Sequence, residues 1–234
     1  NEIFRGVNDS LYRSAAVLKH SSPDRMIGDA LVSMCQTHSN SVVFVHGGQG
    51  GLSSSSIVLD RGKIKHQRID SCVDFNHPNA RAFDSLSASF VVNSDALITD
   101  DVGLVLSVKA ADCLPVFIMG GDYISVIHAG REGTLTHISQ HVSALFKALG
   151  VQEIDVWFGP CACVCCYEIH SETATHFDMV LENADQIGSI YHDDVHFINR
   201  EGHDYCTQCR HDILHSYRMG DTVDRNIFYL KKYH

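Results

Sequence analysis

The stretch Gly103-Leu-Val-Leu-Ser-Val-Lys-Ala-Ala-Asp-Cys-Leu-Pro-Val-Phe-Ile-Met119 decides the architecture. Two short apolar runs, 103–108 and 115–119, flank the polar pair Asp112-Cys113. Runs of this length, bounded by turn residues and rich in branched side chains, read as buried strands. The turn Gly120-Gly-Asp122 follows, and Tyr123-Ile-Ser-Val-Ile127 makes a third strand that stops at His128. Because a tight turn joins the second and third strands, Cys113 and His128 are expected side by side in one sheet.

The pattern extends outward from this centre. Ser41-Val-Val-Phe-Val45 reads as a strand ending at His46, just before Gly47-Gly48. Residues 24–37 carry apolar positions at roughly helical spacing. Between Gly133 and Gly150, Leu135, Ile138, Val142, Leu145 and Leu149 recur in steps of three and four, which predicts an amphipathic helix stopped by glycine. Strands are expected at 154–158, 195–198 and 225–230, and a helix over 172–181. The segment 47–93, rich in Gly and Ser, gives little signal. Strands and helices alternate, so the class is α/β or α+β, with mixed β-sheets flanked by helices in one domain over 1–234.

Composition narrows the function. Acidic residues outnumber basic ones 28 to 18, and the formal charge is −10. Such a surface repels phosphate backbones and anionic lipid, so no nucleic acid or membrane partner is expected. No apolar run approaches the roughly 20 residues that span a bilayer. Residues 1–10 do not read as a signal peptide, so the expected compartment is the cytoplasm. The nine cysteines are clustered rather than evenly spaced, which favours metal binding or catalysis over a disulfide framework.

A thiol and an imidazole brought together can act as nucleophile and base, or can bind zinc or copper with a third ligand. Cys161, Cys163, Cys165 and Cys166, with Cys206-x-x-Cys209, suggest a second, structural zinc site, but a lone C-x-x-C is a weak signal. Alternate residues of an extended segment share a face, so packing is the favoured reading for most of these thiols. His137 and His141 lie one helical turn apart and fit the polar face of an exposed helix.

Several motifs stand in fixed order: Ala110-Ala-Asp-Cys-Leu-Pro115, His128-Ala-Gly130, Gly159-Pro160 with Cys165-Cys-Tyr-Glu168, Cys206-Thr207, and Ser216-Tyr-Arg218. With Asp95-Ala-Leu-Ile-Thr99 and the opening residues Arg5-Gly6 and Tyr12, the chain resembles the YfiH-type laccase-domain family, a family also associated with purine nucleoside phosphorylase. The resemblance implies a metal site formed by His46, Cys113 and His128, with His77 as a competing third ligand. It implies zinc, or alternatively copper, and purine nucleoside and phosphate as small-molecule partners. The implied activities are phosphorolysis of adenosine, inosine or guanosine and deamination of adenosine. The alternatives are a copper-dependent polyphenol oxidase, a metal-free hydrolase using Cys113, and a non-catalytic metal-binding protein. Three departures stand out. The interval from His46 to Cys113 is long for the family, which is what makes His77 a competing ligand. The family motif His-Ala-Gly-Trp-Arg-Gly reads His128-Ala-Gly-Arg-Glu-Gly133 here, which leaves Arg131 or Arg5 as the candidate phosphate partner. The glutamine that usually precedes Val-His-Gly is replaced by Phe44.

Overall fold

The structure, a computed structural model, describes residues 12–17, 30–46, 53–60, 63–68, 89–170, 175–198 and 206–233. A five-stranded sheet runs in the order β1 (Tyr12–Val17), β15 (Asn226–Lys232), β8 (Leu104–Ala110), β2 (Ala30–Cys35), β6 (Ser89–Asn93). An eight-stranded sheet holds β14 (Val195–Phe197), β11 (Ile154–Phe158), β9 (Leu114–Gly120), β10 (Tyr123–Ala129), β7 (Ala96–Thr99), β3 (Val42–His46), β4 (Ser53–Asp60) and β5 (Lys63–Arg68). The short pair β12 (Glu168–His170) and β13 (Thr175–His176) stands apart from both sheets. Helices α1 (Arg131–Leu135), α2 (Ile138–Ala148) and α3 (Met179–Tyr191) complete the set.

Two cores sit on opposite faces of the larger sheet. Val43, Leu97, Phe117, Met119, Val126 and Trp157 meet Val32, Leu106, Val108 and Phe228 of the smaller sheet. On the other face Phe44, Ile98, Val116, Ile118 and Ile127 pack against Ile138, Val142 and Phe146 of α2 and Ile187 of α3. Strands covered on both faces read as unbroken apolar runs, which is why β8, β9 and β10 were evident in sequence. The antiparallel β9–β10 pair sets His128 opposite Pro115, two residues from Cys113.

Two sequence expectations are corrected. The helical spacing read across 24–37 belongs, over Ala30–Cys35, to a strand parallel to both β6 and β8; residues 24–29 lie outside the described residues. Leu31, Val32, Ser33 and Met34 are all buried, so no alternation marks the strand and a helical period is mimicked. The helix expected at 172–181 instead spans Met179–Tyr191, started by Asp178, whose side chain accepts from the Leu181 N–H at 2.9 Å. The helix expected between Gly133 and Gly150 is present but divided, with His137 in the left-handed region (φ 62°) between α1 and α2. Among the described residues no helix is long and apolar enough to cross a membrane.

Phe117 lies fully buried against Trp157, ring centroids 4.8 Å apart, at the centre of the inter-sheet core. Phe117→Ala should cost about 3–5 kcal/mol in denaturant unfolding, whereas Leu135→Ala, on an exposed helix position, should stay within about 0.5 kcal/mol. Equal losses in the two variants would contradict the sandwich core.

Candidate metal centre

Cys113 follows β8 on a tight turn in which Asp112 adopts φ 87°. The turn is held from outside. Asp112 Oδ1 accepts from Thr207 Oγ1 at 2.6 Å and from Ser216 Oγ at 2.7 Å, and Oδ2 accepts from the Arg218 N–H at 2.8 Å. The motif residues Cys206-Thr207 and Ser216-Tyr-Arg218 therefore converge on the residue preceding Cys113. A non-glycine residue at positive φ persists only where its surroundings over-determine it, and here three hydrogen bonds do so.

His128 is the next-to-last residue of β10 and is buried. Its Nδ1–H donates to Asp95 Oδ1 at 2.9 Å, which leaves Nε2 as the ring nitrogen that would ligate once its proton is displaced. Asp95, fully buried, also accepts from the Thr37 N–H and Oγ1, the His38 N–H, and the Ser39 N–H and Oγ. One carboxylate thus orients His128 and folds the 37–39 loop over it. That loop carries His38 at φ 59°, with its Nε2 3.8 Å from Cys113 Sγ and its ring edge-on to His128 at 4.8 Å between centroids.

His38, Cys113 and His128 bring one ligand atom each to within 4.8 Å of one another. A Cβ built on Gly130 would lie 3.0 Å from His38 Cδ2 and 3.1 Å from Cys113 Sγ, so the glycine of His128-Ala-Gly130 keeps this space clear. Burial opposes ionisation of the Cys113 thiol, but the adjacent His128 outweighs it and brings the pKa down to about 6. Burial likewise disfavours the His128 imidazolium, yet Cys113 and Asp95 together push it up to about 9. Burial also works against the charge on Asp95, and the hydrogen bonds from His128 and Ser39 hold its carboxyl well below the usual carboxylate range. Two histidines and a thiolate, one histidine braced by a carboxylate, form a donor set suited to zinc or copper with a position left open.

Of the three expected ligands, Cys113 and His128 meet and His46 does not join them. β3 runs parallel to β7, with Phe44 opposite Ile98, so His46 lies at the Asp100 end of that pair, its Nδ1 4.0 Å from Asp100 Oδ1 and its ring stacked on Phe44. The cluster sits at the Asp95 end, about 16 Å away along the strand. His38 occupies the third place, and sequence reasoning missed it. The available signal was Gln36, two residues before His38, where the family motif carries its glutamine. Gln36 ties the loop to β8, its Oε1 accepting from the Lys109 N–H at 3.0 Å and its Nε2 donating to Lys109 O at 2.7 Å. His77 and Arg5 lie outside the described residues.

The cluster opens into a cavity of ≈ 650 Å³ whose walls include Lys109, Tyr167, Tyr217, Arg218 and Arg225. Arg218 stacks over Tyr167 at 4.4 Å and donates to Glu168 O. Arg131 begins α1 and pairs with Glu132 at 3.2 Å, and its charge reaches Tyr167.

Together these features define a mixed α/β sandwich with a His₂Cys cluster lining a cavity. Residues 13–227 match the model of the family described as multi-copper polyphenol oxidoreductase laccase, and the chain belongs to that family. Among curated proteins it is similar to a purine nucleoside phosphorylase of Aquifex aeolicus, 28% identical over 144 residues covering 57% of this chain and 68% of that protein. It is also similar to one of Borreliella burgdorferi, 29% identical over 144 residues, 53% of this chain and 62% of that protein. An adenosine deaminase RL5 from an unknown prokaryotic organism is 32% identical over 97 residues, covering 40% of this chain and 37% of that one. Among solved structures, YlmD from Geobacillus stearothermophilus shares the fold with a TM-score of 0.64 at 16% identity, covering 100% of this chain and 94% of that one. Bacillus licheniformis YfiH does so at 0.59 and 17%, covering 86% and 73%.

In metal-free protein the Cys113 thiolate should dominate at pH 7. Its alkylation rate should rise with a midpoint near pH 6. Removing the imidazole in His128→Ala should move that midpoint up toward the ordinary thiol range near ~8.5 and slow alkylation at pH 7. Unchanged midpoints would show that His128 does not set the state of the thiol.

Proposed function

We propose that the chain is a metal-dependent purine nucleoside enzyme, with zinc held by His38, Cys113 and His128 and the nucleoside bound in the adjoining cavity. The observation that carries this reading is the His₂Cys cluster opening onto that cavity. A divalent ion there supplies Lewis acidity toward a purine ring atom or a nearby nucleophile. The family and the relatives named purine nucleoside phosphorylase and adenosine deaminase support the substrate class. The cavity falls in the size range of small-molecule sites. Zinc is preferred to copper because, among the described residues, only one cluster with metal-ligand geometry contains histidine.

The chain's own residues divide the remaining work. Asp95 fixes the ring of His128, Gly130 keeps the ligand space open, and Tyr167 and Tyr217 offer aromatic faces for a purine base. Phosphate in a protein of net charge −10 needs local cations. Lys109, Arg218 and Arg225 supply them on the cavity wall, and Arg218 has a planar fork suited to an oxyanion. Arg131, paired with Glu132, adds a further cation whose charge is felt at Tyr167.

The test is base release from inosine and ammonia release from adenosine, with and without phosphate, alongside zinc content. His38→Ala should lose the metal and the activity, while His46→Ala should retain both. The reverse result would restore His46 as ligand. Arg218→Ala should weaken phosphate dependence by roughly 10- to 150-fold, equivalent to about 1.5–3 kcal/mol for a lost charge-assisted contact. Activity toward neither nucleoside in the zinc-loaded wild type would overturn the reading.

A further inference from the structure

Sequence alone favours simple packing for the remaining cysteines, and for two of them the structure agrees. Cys161 and Cys163 are buried in the helix-side core. The alternation then breaks. The Cys163 carbonyl accepts from the N–H groups of Cys166 and Tyr167, both at 2.9 Å, and this turn swings Cys165 and Cys166 out of the extended line. The turn faces a second one at Cys206-Thr-Gln-Cys209. The two are joined by a parallel bridge between Cys161 and Cys206, the Thr207 N–H donating to Cys161 O at 2.9 Å, and Gln208 Nε2 donating to Cys166 O at 3.2 Å.

Four sulfurs meet between these turns. Cys165 Sγ lies 3.5 Å from Cys166 Sγ, 3.7 Å from Cys206 Sγ and 3.8 Å from Cys209 Sγ, and Cys166 Sγ lies 3.4 Å from Cys209 Sγ. All four fall within 4.8 Å of one another, and all four are free thiols. A disulfide would bring a pair to about 2.05 Å. Thiolates at about 2.3 Å from a tetrahedral zinc ion stand about 3.8 Å apart, close to the separations seen here. Cys206 is buried at the inner end of the cluster's path, and its sulfur accepts from the Cys165 thiol. Cys165 and Cys209 are exposed, so an ion has a path to the cluster.

We propose that Cys165, Cys166, Cys206 and Cys209 bind a zinc ion as four thiolates, a structural site separate from the His₂Cys centre. The full complement of ligands leaves no open position, as in closed structural sites. Binding displaces the thiol protons to solvent and involves no redox change. The position of the cluster links it to the cavity. Cys166 precedes Tyr167 on the cavity wall, and Cys206 precedes Thr207, which holds Asp112 beside Cys113. The ion fastens both turns and so steadies the cavity from behind. The proposal does not depend on which reaction the chain performs.

Zinc content and cobalt(II) spectra of the full chain test it. Wild type should hold two equivalents, Cys113→Ala one, and Cys165→Ser/Cys209→Ser one. In the Cys113→Ala background the remaining cobalt(II) should show the intense sulfur-to-metal charge transfer of four thiolates. That measurement leaves the proposed cluster intact, so it stands even if the double serine variant fails to fold. Zinc-free Cys113→Ala, or an unchanged two equivalents in folded Cys165→Ser/Cys209→Ser, would overturn the proposal. Loss of nucleoside activity alone would bear on the first centre and leave this one unaffected.

Discussion

The carboxylate of Asp95 is fully buried, and it stays charged because six donor groups from four residues are aimed at it. A buried charge left without partners would cost several kcal/mol, so the donors must be in place for the fold to close. Those donors come from the 37–39 loop and from the end of β10, which are far apart in sequence. Satisfying one group therefore fixes the positions of two prospective ligands at once. Asp112 plays the matching part for the third ligand, gathering Thr207, Ser216 and Arg218 around the turn that presents Cys113. Two carboxylates, each used as an acceptor only, account for why so many short motifs surround a three-residue cluster.

How much of this could be read from sequence follows from which signals are local. β8, β9 and β10 were legible because both their faces are buried, and the hairpin between β9 and β10 brought Cys113 near His128 by chain connectivity alone. β2 was misread for the same physical reason, since a strand covered on both sides carries no period of two. His38 was harder. The residues 36–39 and 44–47 both place a histidine near a strand, and the glycines after His46 drew attention to that one rather than to His38. The distinguishing residue was Gln36, whose value lies in pairing with the backbone of β8, a contact across 73 positions that no local pattern reports. The cysteine cluster was hidden in a similar way. Its two halves lie about forty residues apart, and the turn at 163–167 replaces the alternation that an extended segment would have kept.

The cavity brings opposite chemistries together, and the chain's charge makes that matter. Its lining includes Cys113 with the histidines, an arrangement drawn to cations, and also Lys109, Arg218 and Arg225. Burial lowers Lys109 to about 8, Cys35 works against this and Arg225 adds to it, so Lys109 remains largely protonated at neutral pH while holding its charge less firmly than a surface lysine. In a protein of net charge −10, cations gathered in one cavity form a local exception to the surrounding field. Asp112 stands at the seam, its backbone leading into Cys113 and its carboxylate holding the backbone of Arg218. Asp112 keeps its left-handed backbone because three donors hold its carboxylate, and the same carboxylate ties the backbone at Arg218 to the turn that presents Cys113.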